Sequence, residues 1–121
     1  MPGNVRPASE AAAHRIVEDW GSLVWLASQK IGNAKGLTLG RVVIKAGTSN
    51  PKHSHPNCEE ALYLLQGRLE HTIGDESVTL EAGDTIVLDA GIPHNAASIG
   101  DEDADMIVAY SSGVRGFQPE S

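Results

Sequence analysis

GTSNPKHSHPNCEEALYLLQG, residues 47–67, is the stretch on which the reading of this chain turns. His53 and His55 stand two apart, and side chains alternate across extended backbone, so the spacing aims both imidazoles at one face. Pro56-Asn57-Cys58 forms a bend, and Glu59 and Glu60 open a short apolar run that stops at Gly67. A third histidine, His94, follows Gly91-Ile92-Pro93 where a turn enters another run. Three imidazoles and one carboxylate on adjoining strands make a mixed nitrogen and oxygen site for a divalent metal. On spacing alone the same residues also read as a solvated loop, since Pro51, Lys52 and Pro56 flank the pair.

Outward from this stretch the texture is of short strands. WGSLVWLAS (20–28) and LTLGRVVIKAG (37–47) read as two strands separated by a turn region at 32–36. EALYLLQG (60–67) and RLEHTIG (68–74) form a hairpin pattern with Gly67 at its bend, and GDES (74–77) is a tight turn. Residues 77–91 give two strands broken at Ala82-Gly83. Residues 94–113 give two more, joined by the acidic loop 100–105, which reads as a solvated turn. Seven or eight strands at such intervals predict a β-sandwich or barrel. Residues 1–19 are small and polar: Ser9 to Asp19 reads as one weak helix capped by Ser9, or as an arm packed on a neighbour. His14 there reads as a solvated histidine.

Composition bounds the function. With 121 residues the chain fits one domain, and 40% hydrophobic residues suffice for a core. Nine Lys and Arg against 16 Asp and Glu give a net charge of −7, which argues against binding a phosphate backbone. No apolar run reaches the length of a membrane span, and the N-terminus lacks the apolar stretch of a secretory signal. A single cysteine gives no disulfide framework, so a cytoplasmic location is expected. Aromatic residues are 4% of the chain, which points to a small polar substrate rather than a large aromatic one.

The motif residues resemble those of the cupin family. That family's first motif is Gly, five residues, His-x-His, three or four residues, Glu, six residues, Gly. It is matched by Gly47, His53, His55, Glu60 and Gly67. The second motif is Gly-Asp, four residues, Pro-x-Gly, two residues, His, three residues, Asn. It is matched by Gly83, Asp84, Gly91 and His94, with Asp89 in place of the proline and Ser98 in place of the asparagine. The resemblance implies an all-β double-stranded β-helix, or jelly-roll barrel, forming a single domain over 1–121 with an N-terminal arm (1–19) and a barrel core (37–113). It implies that His53, His55, Glu60 and His94 hold one divalent transition metal (Mn, Fe, Ni, Co or Zn). Glu59 is the rival carboxylate, and spacing favours Glu60. Glu60, Leu62 and Leu64 facing inward leaves Ala61, Tyr63 and Leu65 as a second apolar face that needs cover by a subunit or by the arm, and the resemblance implies a homodimer, as in many single-domain members of that family.

Such a metal polarises a carbonyl, acidifies bound water or orients a substrate. The expected function is a metal-dependent enzyme on a small oxygen-rich metabolite (a sugar, uronate or keto acid), by isomerisation, ring opening or lyase chemistry. An Fe(II) dioxygenase and a non-catalytic binding or sensing module are the alternatives. Three further residues are candidates for the pocket. His71 is an acid/base or a surface histidine, Arg41 a clamp for a substrate carboxylate or a rim salt bridge, and Tyr110 a pocket or core residue. Trp20 and Trp25 read as packing residues, and Cys58 as a buried or partly exposed thiol.

Overall fold

The structure, a computed structural model, describes residues 3–120. One short helix, α1 (Ala8–Ala13), precedes eleven strands: β1 (Ile16–Glu18), β2 (Gly21–Ala27), β3 (Thr38–Ile44), β4 (His53–Ser54), β5 (Glu60–Gln66), β6 (Arg68–Ile73), β7 (Glu76–Glu81), β8 (Thr85–Leu88), β9 (His94–Ser98), β10 (Ala104–Tyr110) and β11 (Gln118–Pro119). They form two antiparallel sheets, a six-stranded one in the order β1-β2-β3-β10-β5-β8 and a five-stranded one in the order β11-β4-β9-β6-β7. This is the jelly roll that the motifs imply. Its sheets reach beyond residues 37–113 on both sides, since β2 and β11 are sheet members.

Alternation in the sequence sets which side is core. Along β5, Glu60, Leu62 and Leu64 are buried while Tyr63 and Leu65 are about half exposed. β10 is its partner on one side, with Met106 opposite Leu64 and Val108 opposite Leu62, so these four apolar side chains line the same inner face. Val42 and Ile44 of β3 extend that face, and Leu69 and Leu80 close it from the other sheet. Each such fully buried aliphatic side chain contributes about 1.5–3 kcal/mol by leaving water.

Two local expectations are corrected. Residues 60–74 are not a hairpin: β5 pairs with β10 and β8, whereas β6 pairs with β7 and β9 in the other sheet. Gly67 is therefore the corner where the chain changes sheets. Its φ of 90° and the approach of Ala104 Cα and Asp103 O, each 2.9 Å from where a Cβ would sit, exclude any larger residue there. The N-terminal helix runs only from Ala8 to Ala13 with Pro7 as its N-cap, so Ser9 lies inside it and caps nothing. The chain then turns into β1, which pairs with β2 of its own barrel. The arm thus packs at home, with Ala11 buried; its first two residues lie outside the described ones. Among the described residues no helix is long and apolar enough to cross a membrane.

Candidate metal centre

β4 and β9 place the first two ligands. His53 and His94 are direct cross-strand partners in the five-stranded sheet. His55 follows two residues after His53, and Glu60 faces them from β5 of the opposite sheet. All four side chains are buried, and one ligand atom from each lies within 4.8 Å of every other. Glu59 is exposed, so the carboxylate inside the barrel is Glu60.

Backbone carbonyls fix the direction of all three imidazoles. Nδ1–H of His53 donates to Pro51 O (2.6 Å), that of His55 to Gly116 O (2.8 Å) and that of His94 to Ile92 O (2.8 Å). A carbonyl can only accept, so each Nδ1 carries the proton and each Nε2 of a neutral ring carries a lone pair. The Nε2 atoms of His94 and His55 lie 3.1 and 3.2 Å from Glu60 Oε1. Lone pairs facing a carboxylate at that distance repel unless a positive charge lies among them. His55 Nε2, moreover, is buried without a hydrogen-bond partner. The donor set thus fits a divalent cation held by three imidazole nitrogens and one carboxylate oxygen.

The titration behaviour has the same cause. Burial opposes ionisation of Glu60, but the close imidazoles of His55 and His94 outweigh it whenever they carry a proton and bring the carboxyl down to about 2. Burial also disfavours a charged His94, but its contact with Glu60 prevails and raises it, a proton standing where the cation would be. His53, desolvated and lying beside two other imidazoles, is lowered to about 4 and stays neutral at physiological pH.

His53, Glu60 and His94 open on a cavity of about 310 Å³ whose wall is mostly apolar. Leu23, Val42, Leu62, Met106 and Val108 line it together with Trp20, Trp25, Tyr110 and Phe117. Four of the five aromatic residues of the chain therefore face one space. The small percentage of aromatics says nothing about where they gather. Trp25 reaches the wall by lying over Gly40, its partner across the β2–β3 pair: a Cβ there would stand 2.6 Å from the indole. Ile16 and Glu18 of the arm also line the cavity, a contribution with no sequence signal beyond a short apolar pair.

The three candidate pocket residues part company here. His71 is 1% exposed, lines the cavity and stacks on His94 with centroids 5.7 Å apart, so it is no surface histidine. Desolvation and the neighbouring His94 lower it, and its Nδ1–H donates to Thr72 O. Tyr110 is buried, lines the cavity and is the cross-strand partner of Glu60; burial and that carboxylate keep its phenol protonated. For Arg41 the clamp is corrected and the salt bridge is what the structure has: it lies on the outer face of the six-stranded sheet, paired with Asp105 (2.9 and 2.5 Å), and does not line the cavity. The arginine that does is Arg115, in the segment after β10, which sequence reading missed along with Phe117. Cys58 is a buried free thiol in the core and is not a member of the ligand cluster. Asp89 is exposed and Ser98 is buried at the end of β9; neither belongs to the ligand cluster, so the two departures from the second motif leave it intact.

Fold and site together define a jelly-roll protein with a four-residue metal-binding group inside its barrel. The family model described as Cupin domain matches residues 40–110, and the chain belongs to the cupin family. Among curated relatives it is 33% identical over 116 residues to Germin-like protein 5-1 of Oryza sativa subsp. japonica, covering 89% of this chain and 52% of that protein. It is 30% identical over 81 residues to Polyketide synthase CurC of Streptomyces cyaneus, covering 67% and 52%. The chain thus spans about half the length of these relatives. Similar solved structures include a Lactobacillus farciminis oxalate decarboxylase in a formate complex, with TM-score 0.81, 21% identity, and coverage of 87% of this chain and 32% of that one. A recombinant oxalate oxidase in complex with glycolate has TM-score 0.76 and 24% identity, covering 84% and 55%. At these identities the likeness establishes the fold.

Proposed function

We propose that this chain is a divalent-metal-dependent enzyme that acts on a small organic molecule through its carbonyl or carboxylate oxygens, by isomerisation, ring opening or lyase chemistry. The observation that carries this reading is the set of three imidazoles locked by backbone carbonyls, with Nε2 of His55 and His94 turned towards Glu60. When bound there, the metal supplies Lewis acidity to substrate oxygens, and an ion preferring six ligands keeps positions free for them. Mn, Fe, Ni, Co and Zn all suit the donors; manganese has the support of a structural neighbour, Bacillus subtilis oxalate decarboxylase with its Mn(II) centres.

The cavity wall selects among substrates. A sugar or uronate needs a hydrogen-bond partner for most of its hydroxyls, and this wall offers few. A keto acid with an apolar body fits better. His71, neutral at pH 7, takes or returns a proton at Nε2, while Tyr110 donates its phenolic hydrogen. The second reading, an Fe(II) dioxygenase, is favoured by the four aromatic side chains on the wall, which suit an aromatic substrate. A homodimer is part of the proposal. Tyr63 and Leu65 of β5 and Val87 of β8 are about half exposed on the outer sheet face, and the arm does not cover them. A cytoplasmic setting is supported by the free thiol of Cys58.

The test is a turnover screen of keto acids, sugars, uronates and aromatic diols with Mn²⁺- and Fe²⁺-loaded protein in an oxygen-electrode cell. Turnover of a keto acid without oxygen uptake is the expected result. Uptake stoichiometric with turnover would establish the dioxygenase instead, and binding without turnover a sensing module.

A further inference from the structure

We propose that Arg115 receives the carboxylate of the substrate, so that the cavity takes a small organic acid whose apolar body lies along the Trp25 and Leu23 side of the wall. This deepens the function proposed above and rests on its reading of the cavity as a substrate site. Arg115 is the one lysine or arginine among the described residues lining that cavity. Its guanidinium carbon lies 4.7 Å from the Trp25 ring centre, 5.0 Å from that of Phe117 and 5.4 Å from that of Tyr110. Rings hold the cation in place but leave its N–H groups without acceptors: Nη1 is buried and unpartnered, and no carboxylate pairs with the residue among the described ones. Arg115 is half-buried, but a buried N–H without an acceptor is costly, and a planar carboxylate is the anion whose geometry matches the guanidinium fork.

The segment carrying Arg115 is also held firmly. Asn57 brackets it, its Nδ2 donating to Val114 O and its Oδ1 accepting from Gly116 N, both at 2.7 Å. Gly116 O in turn accepts from His55, so the arginine is anchored to the same short segment that orients a metal ligand. Glu60, His94 and Arg115 line one cavity, which lets a single acid reach both the metal-ligand end and the guanidinium. A rigid, preorganised cation of this kind gives specificity for acids over neutral analogues.

The probe is phenylacetate, with phenylacetamide as its uncharged isostere, titrated calorimetrically and by tryptophan fluorescence into chelator-stripped protein and into Zn²⁺-loaded protein. Metal-free wild type should bind the acid at least about tenfold more tightly than the amide. R115Q should abolish that preference and leave amide binding unchanged, and R115K should restore part of it. Equal affinity of wild type for acid and amide would overturn the proposal, as would R115Q binding the acid as wild type does, or no binding of either probe up to about 10 mM. Zinc stoichiometry, which R115Q should not alter, reports on the metal reading separately. A chain that takes no zinc yet shows the Arg115-dependent preference retains this assignment and loses that one.

Discussion

Replacing Glu60 by Gln separates the buried carboxylate from its exposed neighbour Glu59, and the size of the effect follows from the site. A ligand that binds only the folded chain stabilises it by RT ln(1 + [L]/Kd), about 2.7 kcal/mol with metal at 100 times Kd. For a domain of this length 1 kcal/mol moves Tm by about 4 °C, so the wild-type midpoint should rise by about 11 °C. Groups that merely orient a ligand cost 10–100-fold in metal affinity when removed. Glu60 is the only anion of the four-residue metal-binding group, so as a direct ligand its loss should weaken binding by at least about 100-fold. At the same metal concentration the stabilisation then drops to about 0.4 kcal/mol, under about 2 °C. E59Q should keep the full rise, because that side chain points to solvent. The assay is differential scanning fluorimetry of stripped protein with and without metal. Each variant is compared with its own metal-free midpoint, since removing a buried charge alters the baseline. A full rise in E60Q together with a lost rise in E59Q would refute the assignment.

Acidification should destabilise the metal-free chain. His53 is about 4 when folded against 6.5 unfolded, so below pH 6.5 the unfolded chain takes up a proton that the folded one refuses, and stability falls between pH 6.5 and 4 by at most about 3 kcal/mol. Glu60, at about 2 when folded against 4.5 unfolded, adds a further loss between pH 4.5 and 2. His94 works the other way, its raised value giving stability at low pH that is lost as pH rises through that value; chemical denaturation across pH 4–8 reads the sum, and unchanged midpoints would contradict the buried neutral His53. G40A should push the Trp25 indole off the cavity wall, costing about 1–3 kcal/mol and changing the tryptophan emission; an unshifted spectrum at wild-type stability would mean that the close approach is not real. Y63E should convert a dimer to monomer by light scattering, and a dimer unaffected by it would place the interface elsewhere.

Much of this was readable in the sequence because it rests on short-range rules. The period-two runs of β2, β3, β5, β6, β9 and β10 announce themselves, and Glu60, Leu62 and Leu64 share the inner face simply by alternation. The ligand set was legible through motif spacing. What escaped depends on contacts distant in sequence. β4 and β11 have two residues each, too few for any period, and exist because neighbours pair with them. Whether β5 pairs with β6 is decided by the partners β10 and β9, so the corner at Gly67 looked like a hairpin bend. Arg41 in its apolar strand left a substrate clamp and a rim salt bridge both open, and only its outward strand position opposite Asp105 decides for the salt bridge. Arg115 and Phe117 lie in a glycine-bearing tail with no periodicity, and only the fold returns that tail to the cavity, where Asn57 holds it. The clustering of aromatics around one space is invisible to composition for the same reason.

Elemental analysis of the chain after dialysis against Mn²⁺ or Zn²⁺ and removal of free metal tests the central claim most directly. Wild type should retain about one equivalent per chain, and H53A, H94A and E60Q should retain little. Less than about a tenth of an equivalent in wild type, unchanged by H53A, would contradict it.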